Sequence, residues 1–344
     1  MPRGDARHAK TTPAARRPRR SRVLIGALAT VLAVTGAGGW WVYERLDGNL
    51  STVDLAAQLG ADRPPRGAAG GTNLLLLGSD SRAGANHEYG GDVSGARSDT
   101  AMVVHLPPDR RRATVVSIPR DTMVHRPQCT LPGGKRAGAA RSAMFNTAYA
   151  LGGSTCAVRT VEDMSGLRID HVLDIGFTGF KRLVDALGGV KVTTDEDIHD
   201  RWSGLDLPAG THRLDGEQAL GLVRTRHGVG DGSDLGRIHL QQRFLAALAT
   251  QLRSEGLLTH PTRLYRVADA ATSALTTDSG LASVGSLLHL AGSLSALKPG
   301  AVDFRTLPVG PYPTDPNRVQ AVQPQAGDLW TALREGGAPP AAEQ

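Results

Sequence analysis

The chain of 344 residues lacks the short motifs that announce the commoner chemistries. It has no Walker phosphate loop, no GxGxxG, no GxSxG, no HExxH and no paired CxxC, so nucleotide, serine-hydrolase and zinc readings lose their usual anchors. Its eleven histidines are scattered. Net charge is nearly absent once the first 22 residues are set aside. The formal charge is +6, but residues 1–22 carry eight Lys or Arg against Asp5 alone, so the rest of the chain is close to neutral. A nucleic-acid partner therefore loses its main support. Cysteine is the third scarcity, with Cys129 and Cys156 the only two.

A prior of roughly 100–200 residues per domain permits one large or two modest domains, and a hydrophobic content of 40% suits a globular chain. Val23 to Tyr43 is a run of 21 residues without a charge. At about 1.5 Å per residue it spans a hydrocarbon core of roughly 30 Å, which predicts a transmembrane helix over 23–43. The basic tail 1–22 precedes it and Trp40, Trp41 and Tyr43 close it. Positive-inside asymmetry then places the N-terminus in the cytoplasm and the rest of the chain outside, in a single-pass cell-membrane protein. A cleaved signal peptide is the alternative, but its apolar region runs only ~7–15 residues and the aromatic end here reads as an interfacial anchor. An extracytoplasmic compartment is oxidising, so Cys129 and Cys156 are expected to form a disulfide. Residues 44–71, with Pro64, Pro65, Gly67, Gly70 and Gly71, read as a flexible linker.

The folded domain is expected over 72–330, with 331–344 a fraying tail. Leu74 to Leu77 is a continuous apolar run and reads as a central strand buried on both faces. Further strands are expected at 101–106, 113–118, 172–177, 190–194 and 302–307. Helices are expected at 144–151, 157–164, 180–187, from Asp215 into Arg224, along 234–252, and near 264–275 and 283–297. The succession predicts an α/β class with a mixed central sheet flanked by helices, preceded by the one transmembrane helix. Three polar clusters fall at strand ends: Gly78-Ser79-Asp80-Ser81-Arg82, Arg97-Ser98-Asp99-Thr100 and Pro119-Arg120-Asp121. Loops on a rigid sheet edge are where chemistry is commonly held.

The stretch 221–244 is the densest in chemistry. Arg224 and Arg226 stand two apart, so an extended backbone points both guanidinium groups the same way, toward a group such as phosphate. Asp234 takes a helix N-cap position. Arg237, Gln241, Phe244, Leu248 and Leu252 then follow at helical spacing on one face, which puts Arg237 and Gln241 at the head of a buried stripe. The alternative is a capping salt bridge between Asp234 and Arg237 with the other arginines as surface charge. Asp80 and Asp99 form a candidate pair for a hard cation such as Mg²⁺.

Seven segments in order, GSDSR, RSDTAMVV, VSIPRDT, FNTAYALGG, GFKRLVDALGGV, LDGEQALGLVRTR and DLGRIHLQQRF, resemble the LytR-CpsA-Psr (LCP) family of cell-wall glycopolymer ligases over about residues 72–252. The resemblance implies an α-β-α sandwich with an apolar tunnel for a polyprenyl chain. It implies transfer of a glycopolymer phosphate from a polyprenyl-pyrophosphate carrier to a peptidoglycan hydroxyl, with release of polyprenyl phosphate. By position, Asp80 and Asp99 match the family's metal-binding aspartates. Arg120, Arg224, Arg226, Arg237 and Gln241 match its pyrophosphate-binding set, and Arg82 and Arg97 match further motif positions. The catalytic group on this reading is Asp99, Arg120, Arg224 and Arg226, with either Asp99 or Asp121 as base. Leu240 departs from the family pattern, which has arginine there. A polyprenyl-pyrophosphate phosphatase and a non-enzymatic membrane regulator are the rival functions.

Overall fold

The computed structural model describes residues 35–67, 70–79, 98–131, 133–226, 234–254, 260–298 and 300–340. The chain divides into two compact units, Met1–Arg45 and Leu46–Gln344. In the first unit residues 35–45 are helical, as part of helix α1 (35–48), with Trp40 and Trp41 exposed and the Arg45 guanidinium 5.8 Å from the Trp41 ring centroid. Among the described residues no helix is long and apolar enough to cross a membrane. The basic tail and residues 23–34 of the expected span lie outside the described residues.

The second unit opens with β1 (Ser51–Val53) and α2 (Leu55–Leu59), then β2 (Thr72–Ser79), β3 (Ser98–Leu106) and β4 (Ala113–Ser117). Next come β5 (Thr122–Arg126), the short pair β6 (Cys129–Thr130) and β7 (Arg136–Ala137), β8 (Ala140–Met144) and the long helix α3 (Phe145–Ser165). A β-α-β run of β9 (His171–Gly176), α4 (Phe177–Ala186) and β10 (Val190–Thr194) leads to two small hairpins, β11 (Ile198–Asp200) with β12 (Leu205–Leu207), and β13 (Gly210–Leu214) against β10. Helices α5 (Gly216–Arg224), α6 (Asp234–Ser254) and α7 (Pro261–Ala274) follow, then β14 (Leu275–Asp278), α8 (Val284–Ser295), β15 (Val302–Thr306), β16 (Val309–Tyr312), β17 (Asp315–Ala321) and α9 (Gln325–Arg334).

Seven strands make the main sheet in the order β1-β14-β9-β2-β3-β4-β15. It is mixed: β2 pairs antiparallel with β3 and parallel with β9. The apolar run of β2 thus sits at the centre, covered on both faces. On one face Leu75, Leu77, Val103, Val116 and Val172 are 0–1% exposed and pack with α3 and α9 through Phe145, Val158, Val161, Trp330 and Leu333. On the other, Leu74, Met102, Val104 and Val115 are joined by half-buried Leu76, Leu173 and Phe304, facing Leu245 of α6 and Leu287, Leu290 and Leu294 of α8. This layer is looser than its counterpart. A second sheet, β16-β17-β5-β8, continues from the loop ends of the first.

The two helices expected around Gly152-Gly153 are both present within α3, set end to end across a non-helical kink where Gly153 has φ 62°. A Cβ on Gly152 would lie 2.8 Å from the Cys156 Cβ and 3.1 Å from the Thr130 carbonyl, so the kink lets this turn pass the Cys129–Cys156 disulfide, which the structure contains. The expected linker 44–71 holds β1 and α2, because Leu55 and Leu59, four apart, both enter the α3 core. The expected tail starts too early: α9 runs to Arg334, since Leu329, Trp330 and Leu333 supply it with a buried face. The buried line of α6 passes through Gln251 rather than Leu252, which is 44% exposed, because Gln251 accepts from the Lys191 N–H and donates to the Gly189 carbonyl.

Arg63 fastens the segment before the sheet. Its guanidinium is bonded to Glu162 at 2.5 and 3.0 Å, and Glu162 also accepts from the Ile169 N–H at 2.9 Å. Both side chains are buried, 8% and 3% exposed. Removing one partner strands the other's charge, so Glu162→Ala should lower unfolding free energy by about 3–5 kcal/mol. Urea denaturation at neutral pH measures this.

Candidate active site

Asp99 owes its position to an irregular register. Gly78 pairs with Thr100 and Ser79 with Ser98, so Asp99 is an extra residue with no partner on β2. A bulge of this kind re-aims a side chain out of the ladder. Gly78 allows the close approach, since a Cβ there would stand 3.1 Å from the Thr100 Cβ. Arg120 comes from the connection between β4 and β5, where the Thr122 hydroxyl holds the Pro119 carbonyl at 2.6 Å and the Asn146 N–H holds the Arg120 carbonyl at 3.0 Å.

Arg226 follows α5. That helix starts on a capping box between Asp215 and Gln218 and ends at Thr225, whose hydroxyl bonds the Gly221 carbonyl. The Arg226 N–H is then held by the Asp200 carboxylate at 2.9 Å. Arg237 and Gln241 lie on the inner face of α6, 3% and 4% exposed. Gln241 donates to the Val223 carbonyl at 3.0 Å and so docks α6 on the last turn of α5.

These elements converge on three carboxylates, Asp99, Asp121 and Asp234. Arg120 bonds Asp99 at 2.5 Å and lies 3.5 Å from Asp121. Asp234 accepts from the Arg226 guanidinium at 3.2 Å, from the Arg120 N–H at 3.3 Å and from the Arg237 guanidinium. The capping bridge between Asp234 and Arg237 is therefore present, yet Asp234 also gathers the other two arginines. Arg318 of β17 reaches Asp121 at 3.8 Å. Burial raises the cost of ionising Asp99, but Arg120, Arg237 and Arg226 outweigh it and hold its carboxyl below the ordinary 3.8. Burial pushes Arg237 down to about 10, against the pull of Asp234. Among the described residues the Nε–H groups of Arg120 and Arg237 and the Oδ1 of Asn146 are buried without a hydrogen-bond partner. Unpaired buried donors are costly, and the carboxylate next to the Arg120 Nε, that of Asp121, is 3.5 Å away.

The structure thus brings together Asp99, Arg120, Arg226 and Arg237 from the expected set, with Gln241 adjacent. Arg224 is different. Helix α5 extends through it, so the chain is not extended from 224 to 226, and its guanidinium lies 4.9 Å from the Phe177 ring centroid. Asp80, Arg82 and Arg97 lie outside the described residues. Asp200, Asn146 and Arg318 were not singled out as site residues. Asn146 stood inside a family segment, whereas Asp200 and Arg318 carry no local signal, because their partners are 26 and 197 residues away.

A family model described as the LytR_cpsA_psr family matches residues 43–335. The chain belongs to this family. Among curated relatives, the cell wall biosynthesis protein LcpA of Corynebacterium glutamicum is 34% identical over 305 residues, 81% of this chain and 58% of LcpA. The probable cell wall biosynthesis protein LcpB of the same organism is 35% identical over 297 residues, 85% of this chain and 66% of LcpB. The chain thus spans less than two thirds of either relative. A third, the polyisoprenyl-teichoic acid–peptidoglycan teichoic acid transferase TagT of Bacillus subtilis, is 32% identical, covering 68% of this chain and 70% of TagT. Among solved structures, a LytR-Csp2A-Psr enzyme from Actinomyces oris superposes with a TM-score of 0.63 at 25% identity, covering 84% of this chain and 96% of its own. TagT bound to LIIa-WTA does so at 0.59 and 26%, covering 82% and 98%. The mixed α/β sheet flanked by helices is the family's fold. Leu240 is buried against Phe244 and Leu222 in this LCP domain, at the position where the family pattern has arginine.

The lowered pKa of Asp99 has a sign that can be measured. A carboxylate depressed on folding adds stability that is complete above its unfolded value and is lost as pH falls through the folded one. Asp99→Asn should therefore flatten the fall in melting temperature below the ordinary 3.8, while the wild type keeps it. Thermal melts across acid pH with both proteins test this.

Proposed function

We propose that this LCP protein is a membrane-anchored phosphotransferase that moves a glycopolymer from a polyprenyl-pyrophosphate carrier to peptidoglycan, with its catalytic domain outside the cell. The observation that carries the reading is the convergence of the Arg120, Arg226 and Arg237 guanidinium groups on Asp99 and Asp234, two of them with a buried Nε–H that has no hydrogen-bond partner among the described residues. Such a cluster suits a pyrophosphate, whose oxygens accept forked donors and gain charge as the bond to the leaving phosphate breaks. The names of the relatives support the substrate class: TagT is named as a teichoic acid transferase to peptidoglycan.

In the step proposed, a peptidoglycan hydroxyl oxygen forms a bond to the phosphorus that carries the glycopolymer. The bridging P–O bond breaks, polyprenyl phosphate leaves with the electron pair, and the hydroxyl proton passes to a base. Asp99 is a weak base because its arginines hold its carboxyl below the ordinary carboxylate value. Asp121, between Arg120 and Arg318, is the other candidate. The ionised oxygens of Asp99 instead fit a hard divalent cation. Asp99 with Asp80 would hold Mg²⁺, which supplies Lewis-acid neutralisation of phosphate charge and needs only one or two protein carboxylates. Among the described residues no cluster of three His, Cys, Asp or Glu offers a fuller cage. The half-buried layer between the sheet and α6 and α8, lined by Leu76, Leu173, Leu245, Leu287, Leu290 and Phe304, is where the polyprenyl chain would lie.

The phosphatase alternative uses the same clamp with water as acceptor, and a purified-peptidoglycan competition separates the two. Fork geometry provides the sharper test of the site. Arg120→Lys and Arg226→Lys keep the charge but lose the planar donor pair, and each should slow polyprenyl-phosphate release by about 10²–10³-fold with little change in melting temperature. Arg224→Lys, in the same assay, reads whether the residue over Phe177 belongs to the clamp. Near-normal turnover in both Arg120→Lys and Arg226→Lys would dismiss the clamp.

A further inference from the structure

We propose that the β11–β12 hairpin is a glycan platform, with Trp202 stacking on a pyranose ring of the substrate; this rests on the transferase reading above and extends it to a second subsite. The chain has four tryptophans. Trp40 and Trp41 belong to the first unit, Trp330 is 3% exposed in the core, and Trp202 is 68% exposed. A single exposed aromatic needs no explanation by itself. Three further observations single this one out.

The first is an open surface depression of about 600 Å³ lined by His199, Asp200, Arg201, Trp202, Leu205 and Asp206. That volume lies in the range of small-molecule sites, and its wall mixes one aromatic face with donors and acceptors suited to sugar hydroxyls. The second is the Arg201 guanidinium, which lies over one face of the Trp202 ring at 5.0 Å from its centroid and steadies the indole, leaving the opposite face for a sugar. The third is the hairpin's attachment. Asp200 is 2% exposed, and its Oδ1 accepts the Trp202 N–H at 2.8 Å while its Oδ2 accepts the Arg226 N–H at 2.9 Å. The Ser203 and Thr225 hydroxyls are 2.8 Å apart. One buried carboxylate therefore holds the backbone N–H of Trp202 and that of a clamp arginine, which ties the hairpin to the segment carrying Arg226. A sugar ring offers an apolar C–H face to the indole and a hydroxyl rim to the polar lining.

Calorimetry on the full chain in nanodiscs tests this without any transfer reaction. One arm titrates soluble uncrosslinked peptidoglycan strands, the acceptor; the other titrates a short-chain sugar pyrophosphate, the donor analogue. Trp202→Ala should weaken one arm by about tenfold or more, with an unchanged melting temperature, and Trp202→Phe should recover most of that loss. The arm that moves identifies which glycan the platform holds. Unchanged affinity in both arms for Trp202→Ala would overturn the proposal, as would an equal loss in the Phe variant. Trp202-dependent binding in a wild type that transfers nothing to peptidoglycan would sink the transferase reading and leave the platform standing.

Discussion

Asp234 is the constraint on which the site depends. Three guanidinium groups brought close together repel one another, and in a partly buried setting that repulsion is only weakly screened. The carboxylate at the head of α6 offsets it by accepting from Arg226, Arg237 and the Arg120 backbone together. Asp99 takes the Arg120 side chain from the opposite direction. Among the described residues the Nε–H groups of Arg120 and Arg237 still lack a hydrogen-bond partner. On the proposed reading, an incoming pyrophosphate would meet donors already in place, which is how electrostatic preorganisation works.

The scaffold holds those groups by dividing its work between the two faces of one sheet. The α3 and α9 face is packed to near-zero exposure and is fastened by the disulfide, the Arg63–Glu162 pair and the aliphatic side chains of β2, β3 and β4. The α6 and α8 face keeps a half-buried apolar layer. Close packing on one side gives the bulge at Asp99 and the turn at Arg120 a fixed base. The other side is apolar and only half-buried at Leu76, Leu173 and Leu245. Helix α6 belongs to both tasks, since Arg237 and Gln241 head its buried line while Leu245 faces the loose layer.

Docking of α6 to its neighbours is made by glutamine amides. Gln241 satisfies the Val223 carbonyl at the end of α5, Gln242 reaches Ser117 and the Arg305 carbonyl across the sheet edge, and Gln251 closes on β10. Apart from the Gln242 bond to the Ser117 hydroxyl, each answers a backbone group. The family resemblance placed Gln241 among the pyrophosphate contacts. One N–H of its amide here serves the Val223 carbonyl, which also ties α6 to α5, the helices beside Arg237 and Arg226.

Much was legible in the chain because it is written locally. The run Leu74 to Leu77 has the composition of a strand covered on both faces, the Asp215 capping box starts α5 where it reads, and the stripe from Arg237 to Leu248 follows helical spacing. Two lone cysteines could pair only with each other. What the sequence left open depends on contacts between distant segments. The β5, β8, β16 and β17 sheet has strands too short and too mixed to announce themselves, so Arg318 had no visible link to Asp121. A one-residue bulge turns Asp99 out of its ladder, and no local pattern encodes a register shift. Arg224 and Arg226 are two apart in sequence, yet a helix ends between them and sends one to Phe177 and the other to Asp234. Periodicity and capping are properties of neighbouring residues, so sequence alone determined the elements. Which charges meet is decided by how those elements pack, and only the tertiary structure could settle that.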